Sequence, residues 1–185
     1  TYSMIGSIDD FNWQWDILNE NIPVADFVCA KNEHHFERFL KDSALLYQKE
    51  RLAVTYVILV ENKIIAYYTL ANDKITMNDE EKNFWNRLTR KISNNKRRSS
   101  YPALKLCQLA VDDNYVANGF GKQIITQVVF LALEFKVGCR FVTVDALPEA
   151  ESFYQKMGFV RLSDKPNPKN GTIPMYFDLG RISTD

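Results

Sequence analysis

Val116-Ala-Asn-Gly-Phe-Gly121 lies between Leu104–Val111, which reads as a strand, and a long apolar run that reads as a helix. A glycine turn at a helix start suits a phosphate. Unpaired backbone N–H groups and the positive end of the helix dipole both point there. Two familiar phosphate sites fail by position. A GxGxxG dinucleotide fingerprint would need glycine at Ile124. A Walker A loop would need glycine at Val116 and a hydroxyl residue at Gln123, so Lys122 is not a P-loop lysine.

Other chemistry is thinly supplied. Cys29, Cys107 and Cys139 are far apart with no CxxC, which reads as reduced, buried, small hydrophobes. His34 and His35 are the only histidines, so a histidine-rich zinc site is excluded and no metal is expected. The net charge of zero rules out a molecule that is basic all over, but a local patch is present. Arg87, Arg90, Lys91, Lys96, Arg97, Arg98 and Lys105 fall in a run from Lys82 to Val111 that contains no acid. The run reads as a solvated loop or as a contact for phosphate or an acidic partner.

The elements that must position these residues follow from periodicity. At 185 residues the chain fits one domain with a proper core, and 46% hydrophobic with 25% charged residues is ordinary for a soluble protein. Residues 1–30 carry Phe11, Trp13, Trp15 and Pro23 and are expected to be irregular. One or two amphipathic helices are expected over 33–51. Ala53–Val60 and Ile64–Leu70, joined at Glu61-Asn62, predict an antiparallel hairpin. Asn78 and Glu81 suit a capping box before a helix bearing Phe84, Trp85, Leu88 and Ile92.

Leu104–Val111 reads as a central strand covered on both sides. The helix after Gly119 is apolar nearly all round, predicting deep packing, with Gly138 as its end. Phe141–Val144 is the next strand. A short helix then starts near Pro148 and stops at Gly158, before closing strands at 159–162 and 173–179. No basic leader with an apolar core opens the chain, and no run is long enough to span a membrane, which predicts a cytoplasmic protein.

Taken together, Leu109-Ala-Val-Asp112, Tyr115, Gly119-Phe-Gly121, Phe153-Tyr154 and Gly158-Phe159 resemble the GNAT superfamily of acyl-CoA N-acetyltransferases. The resemblance implies an α/β fold with a central mixed sheet flanked by helices, 1–185 as one domain and 104–162 as the CoA-binding and catalytic core. It implies acetyl-CoA as co-substrate, held by backbone N–H groups of the loop Val116, Ala117, Asn118, Gly119, Phe120, Gly121 and Lys122. Val116 stands where the family usually has Gln or Arg. The strand residues Leu109, Ala110 and Val111 would pair with pantetheine, Phe153 would border the cofactor, and the Val111 N–H would polarise the thioester carbonyl. Tyr154 matches the tyrosine that protonates the leaving thiolate.

No general base stands out; Asp112, Asp145 and Glu149 are the nearby carboxylates. Deprotonating a lysine amine (pKa ~10.4) near neutrality costs about 4 kcal/mol, against about 1 for an α-amine near ~7.7–8.0. A site without a base therefore suits α-amines. Within the superfamily, Ala66-Tyr-Tyr-Thr-Leu70 and Tyr101-Pro102, with the strand and tyrosine landmarks, look most like the bacterial toxin branch that acetylates aminoacyl-tRNA. That branch implies tRNA, with Arg87, Arg90, Lys91, Lys96, Arg97 and Arg98 as contacts, and an antitoxin protein as partners. A homodimer and a CoA-binding module with weakened catalysis are the other readings kept open.

Overall fold

Phe11, Trp13, Trp15 and Ile17 alternate with Asn12, Gln14 and Asp16, and period two is what a half-buried strand requires. Residues 11–17 form strand β2 (Phe11–Ile17), with Trp13 and Trp15 buried, and β2 pairs antiparallel with β1 (Ile5–Ile8). This corrects the expectation of an irregular segment over 1–30. Four bulky apolar side chains in seven positions conceal an alternation that the intervening polar residues spell out.

The computed structural model describes residues 5–8, 11–29, 34–76, 82–90, 92–93 and 98–182. The Asn78–Glu81 capping box and Lys91, Lys96 and Arg97 lie outside the described residues. The class is mixed α/β, a mixed sheet flanked by helices. The chain divides into two compact units: residues 1–71 with 106–128, and residues 72–105 with 129–185.

In the first unit the strand order is β1-β2-β3-β4-β5, with β3 Val54–Val60, β4 Lys63–Thr76 and β5 Ser100–Val111. Strands β3 and β4 form the expected hairpin, with Val60 opposite Lys63. Its two turn residues, Glu61 and Asn62, have φ of 49° and 64°, the left-handed pair that matches strand twist. Ile64 to Leu70 are all buried, so this part of β4 is covered on both faces.

One face meets a helical segment made of α1 (His34–Arg38), a π-helical turn (Phe39–Ser43) and α2 (Ala44–Lys49). Leu40 and Ala44 from that segment, Val57 and Tyr67 from the sheet, and Leu18 and Phe27 form one core. Between β3 and β4, the buried Thr55 and Thr69 hydroxyls pair at 2.8 Å.

In the second unit the order is β4-β5-β6-β8-β7, with β6 Phe141–Ala146, β7 Val160–Arg161 and β8 Ile173–Asp178. β8 runs antiparallel to both its neighbours. Helix α3 (Lys82–Thr89) buries Leu88 and sets Trp85 against Tyr101, ring centroids 5.5 Å apart, over Phe141 and Tyr176. Asp73 accepts from the Thr143 hydroxyl at 2.6 Å, and Asp178 accepts from Arg140 at 2.9 Å.

Helix α4 (Phe120–Glu134) begins in the first unit and ends in the second. Its packing is one-sided. Ile124, Ile125, Val128 and Ala132 are buried, while Phe130 and Leu133 are exposed, as are Phe135 and Val137 beyond its end. An apolar composition all round does not make a buried helix when only one face has a sheet to meet. The helix also stops at Glu134, ahead of Gly138. A second correction concerns Cys107, which is exposed rather than buried. Strand alternation turns it away from the faces that bury Leu106 and Ala110. Among the described residues, no helix is long and apolar enough to cross a membrane.

Candidate active site

The glycine turn is built in the first unit from a locked strand end. Beyond β5, Asp112 is buried and its carboxylate accepts three hydrogen bonds: from the Val28 N–H at 3.0 Å, the Asn114 N–H at 3.0 Å and the Asn114 side-chain amide at 2.9 Å. The Asp113 N–H returns the link to the Val28 carbonyl at 2.9 Å. A short 3-10 turn, Asp113–Tyr115, follows under that cap. Phe120, the first residue of α4, is buried against Phe11 and Tyr115, with ring centroids 5.9 and 6.3 Å away. The loop between these two anchors is exposed at Val116, Ala117 and Gly119.

Its backbone twice enters the left-handed region. Ala117 and Gly119 have φ of 67° and 86°, and left-handed residues in such a turn bring N–H groups toward a common concavity. The Gln123 N–H bonds the Gly119 carbonyl at 3.0 Å, which makes Gly119 the cap. The N–H groups of Phe120, Gly121 and Lys122 precede that bond and have no partner within the helix. The Phe120 side chain is core, so only its backbone is available to a ligand. Lys122 is exposed at the rim, and so is Val116, whose side chain offers no polar atom.

Leu109, Ala110 and Val111 close β5 on the same unit. The Asp112 N–H bonds the Ile65 carbonyl of β4 at 2.8 Å. N–H directions alternate along a strand, so the N–H of Val111 is directed to the edge away from β4. Ala110 is buried in the core, while Leu109 and Val111 are half-buried.

Tyr154 belongs to the second unit. It sits on α5 (Glu151–Lys156), which follows a 3-10 turn at Pro148–Ala150. Its ring packs edge-on against Phe153 and Phe159, with centroids 5.1 and 5.5 Å away. The carbonyl of Tyr154 accepts from the Phe159 N–H at 3.0 Å as the helix closes. Gly158, with φ of 91°, makes the stop, and a Cβ there would stand 3.0 Å from the Phe177 ring. Burial pushes the Tyr154 phenol well above the ordinary tyrosine range. Glu151 grips Arg161 through both of its oxygens and ties α5 to β7.

The three carboxylates considered as bases have other employment or none. Asp112 is committed to three donors, Asp145 pairs with Lys105 at 2.6 Å, and Glu149 is exposed on the 3-10 turn. Of the basic run, Arg87, Arg90 and Arg98 are exposed. Arg87 lies over the Phe84 ring at 4.5 Å. Asp112 is the residue whose role sequence reading missed. An aspartate just after a strand and two residues before asparagine is the signal that could have marked it.

Residues 88–177 match the model of the acetyltransferase (GNAT) domain family. Among solved structures, the chain is similar to a tyrosine-to-phenylalanine variant of KacT, with TM-score 0.73 and 18% identity over 91% of this chain and 96% of that one. It is similar to AtaT complexed with acetyl-methionyl-tRNAfMet, with TM-score 0.72 and 19% identity over 91% and 96%. A third likeness is to a variant of the AtaT toxin bound to acetyl-CoA and the C-terminus of the antitoxin AtaR, with TM-score 0.69 and 17% identity over 91% and 94%.

Proposed function

Because this chain carries a GNAT acetyltransferase domain over residues 88–177, we propose that it transfers an acetyl group from acetyl-CoA to an amine by direct attack. The observation that carries the proposal is the exposed turn capped by Gly119, with three N–H groups unspent at the start of a 15-residue helix. Those groups and Lys122 would take the CoA pyrophosphate, and β5 would pair with pantetheine through Leu109–Val111. With Val116 in the place of a polar side chain, the phosphate site depends on backbone.

In the chemical step, the amine nitrogen attacks the thioester carbonyl carbon. A C–N bond forms, the C–S bond breaks, the nitrogen loses a proton and the departing sulfur gains one. The Val111 N–H would stabilise the oxyanion. Tyr154 would hydrogen-bond to the sulfur. A phenol (~10) is a weaker acid than a thiol (~8.5), and burial weakens it further. Its benefit therefore lies in a donor that stays protonated, while the amine supplies the net proton.

The acceptor we propose is the α-amine of aminoacyl-tRNA. Asp112 and Asp145 are committed to donors, and the exposed carboxylates of Asp113 and Glu149 are held in place by no hydrogen bond among the described residues, which favours an amine that needs little help to deprotonate. The likeness to AtaT with an acetylated methionyl-tRNA and the exposed Arg87, Arg90 and Arg98 support the same acceptor. An antitoxin partner and a cytoplasmic location go with it.

Thiol release from acetyl-CoA tests the enzyme, with aminoacyl-tRNA, small α-amines and lysine peptides as acceptors. Tyr154→Phe should lower kcat about 10²-fold or more, the scale of a lost hydrogen-bond donor to charge developing in the transition state, with the urea midpoint nearly unmoved. Faster acetylation of lysine peptides would overturn the acceptor. CoA binding with no turnover on any amine would leave a binding module.

A further inference from the structure

Two cavities in the second unit adjoin, since Asp73 and Pro102 line both, and together they make a cleft. The larger, about 640 Å³, is lined by Lys74, Arg98 and Arg140 together with Asp73. The smaller, about 420 Å³, is lined by Leu104, Phe135 and Val137. Each lies within the size range of small-ligand sites. None of their lining residues belongs to the glycine turn or to α5.

The charge in the cleft is unbalanced. Arg140 is answered by Asp178 at 2.9 Å and rests over the Phe141 ring, 5.6 Å from its centroid. Its guanidinium packs so closely on Gly180 that a Cβ there would collide with Nη1, and Nε is buried with no partner among the described residues. Arg140 is thus a fixed wall. Asp73 gives one oxygen to Thr143. Lys74 and Arg98 are exposed, and neither forms an ion pair among the described residues. The other end offers aromatic and aliphatic surface in the open, with Phe135 45% and Val137 74% exposed.

We propose that this cleft binds a single-stranded RNA segment, its phosphate on Lys74 and Arg98 and a base against Phe135. Cations lining one cavity and an exposed aromatic ring lining the one that adjoins it are a combination that holds unpaired nucleotides. An acidic peptide would use the cations but has no particular need of a flat ring. The site rests on the aminoacyl-tRNA reading and specifies which surface of the second unit would grip an RNA acceptor.

The test is equilibrium binding of a labelled single-stranded RNA dodecamer, adenosine monophosphate and a polyglutamate peptide to the full chain. RNA should bind best. Lys74→Ala and Arg98→Ala should each weaken it several-fold and reduce the salt slope by about 0.7, as for one lost phosphate contact on a single strand. Phe135→Ala should weaken RNA binding about 10-fold with the salt slope unchanged, and Phe135→Trp should restore it. Equal affinity for the mononucleotide, or preference for polyglutamate, would overturn the RNA assignment. RNA binding indifferent to all three alanine variants would overturn the cleft, even if aminoacyl-tRNA is acetylated. Cleft-dependent RNA binding with no acetylation of aminoacyl-tRNA would instead overturn the acceptor and leave the cleft standing.

Discussion

Removing the Asp112 carboxylate should unseat the strand end from which the glycine turn springs. The Val28 N–H bond is part-buried and made to a charged acceptor, worth about 1.5–3 kcal/mol with its desolvation included. The bonds to Asn114 are to an exposed residue that water can re-satisfy, so together they add about 1 kcal/mol. Asp112→Ala should therefore cost about 2.5–4 kcal/mol. Asp112→Asn should cost about 2 kcal/mol, because both carboxylate oxygens accept and an amide keeps only one acceptor.

Urea unfolding followed by tryptophan fluorescence reads both, the alanine variant shifting the midpoint down by about 1–4 M at an m-value of ~1–3 kcal/mol/M. The KM for acetyl-CoA should rise in the same order, alanine above asparagine, as the turn loosens. An Asp112→Asn protein with an unmoved midpoint and abolished turnover would refute this. It would make Asp112 a base rather than a clamp.

Gly158→Ala should cost about 1–3 kcal/mol, since alanine pays for the left-handed φ and its Cβ meets Phe177 at 3.0 Å. Thermal unfolding measures it, and a loss under about 0.5 kcal/mol would contradict the geometry. Burial raises the phenols of Tyr56, Tyr67, Tyr68 and Tyr154. Folded protein then holds protons that unfolded chains release above about pH 10, and stability should fall as pH climbs past that point. A midpoint flat from pH 9 to 11 would exclude this. Glu37 behaves oppositely: the Cys29 N–H bond at 2.8 Å, helped by Lys41 and His34, lowers its pKa. Its contribution is complete above about pH 5 and lost as pH falls through the folded value, so Glu37→Gln should flatten the acid limb of a stability profile below about pH 4.

Local patterns carried much of this fold. The Glu61-Asn62 turn could be read because two adjacent residues that adopt positive φ leave a hairpin little choice, and the α5 stop at Gly158 is equally local. The glycine turn from Val116 to Gly121 was legible for the same reason, since the first backbone N–H groups of a helix need no distant partner to be left over. Tyr154 could be located through a family likeness, but its ring contacts and burial come from packing with Phe159.

What the chain alone did not disclose depends on which surfaces meet. The alternation in β2 became a strand because β1 and β3 supply hydrogen bonds on either side. The outer face of α4 stayed exposed because none of the described residues forms a layer over Phe130 and Leu133. Asp112 became a clamp only when Val28, 84 positions earlier, arrived beside it, and the cleft at Lys74, Arg98 and Phe135 gathers residues from three separate stretches. The sequence by itself determined where the backbone turns and which turn leaves N–H groups over at a helix start, because those are decided by neighbours along the chain. Tertiary structure decided which charged groups are spent and which remain for a ligand, because a carboxylate's partners are set by distance in space.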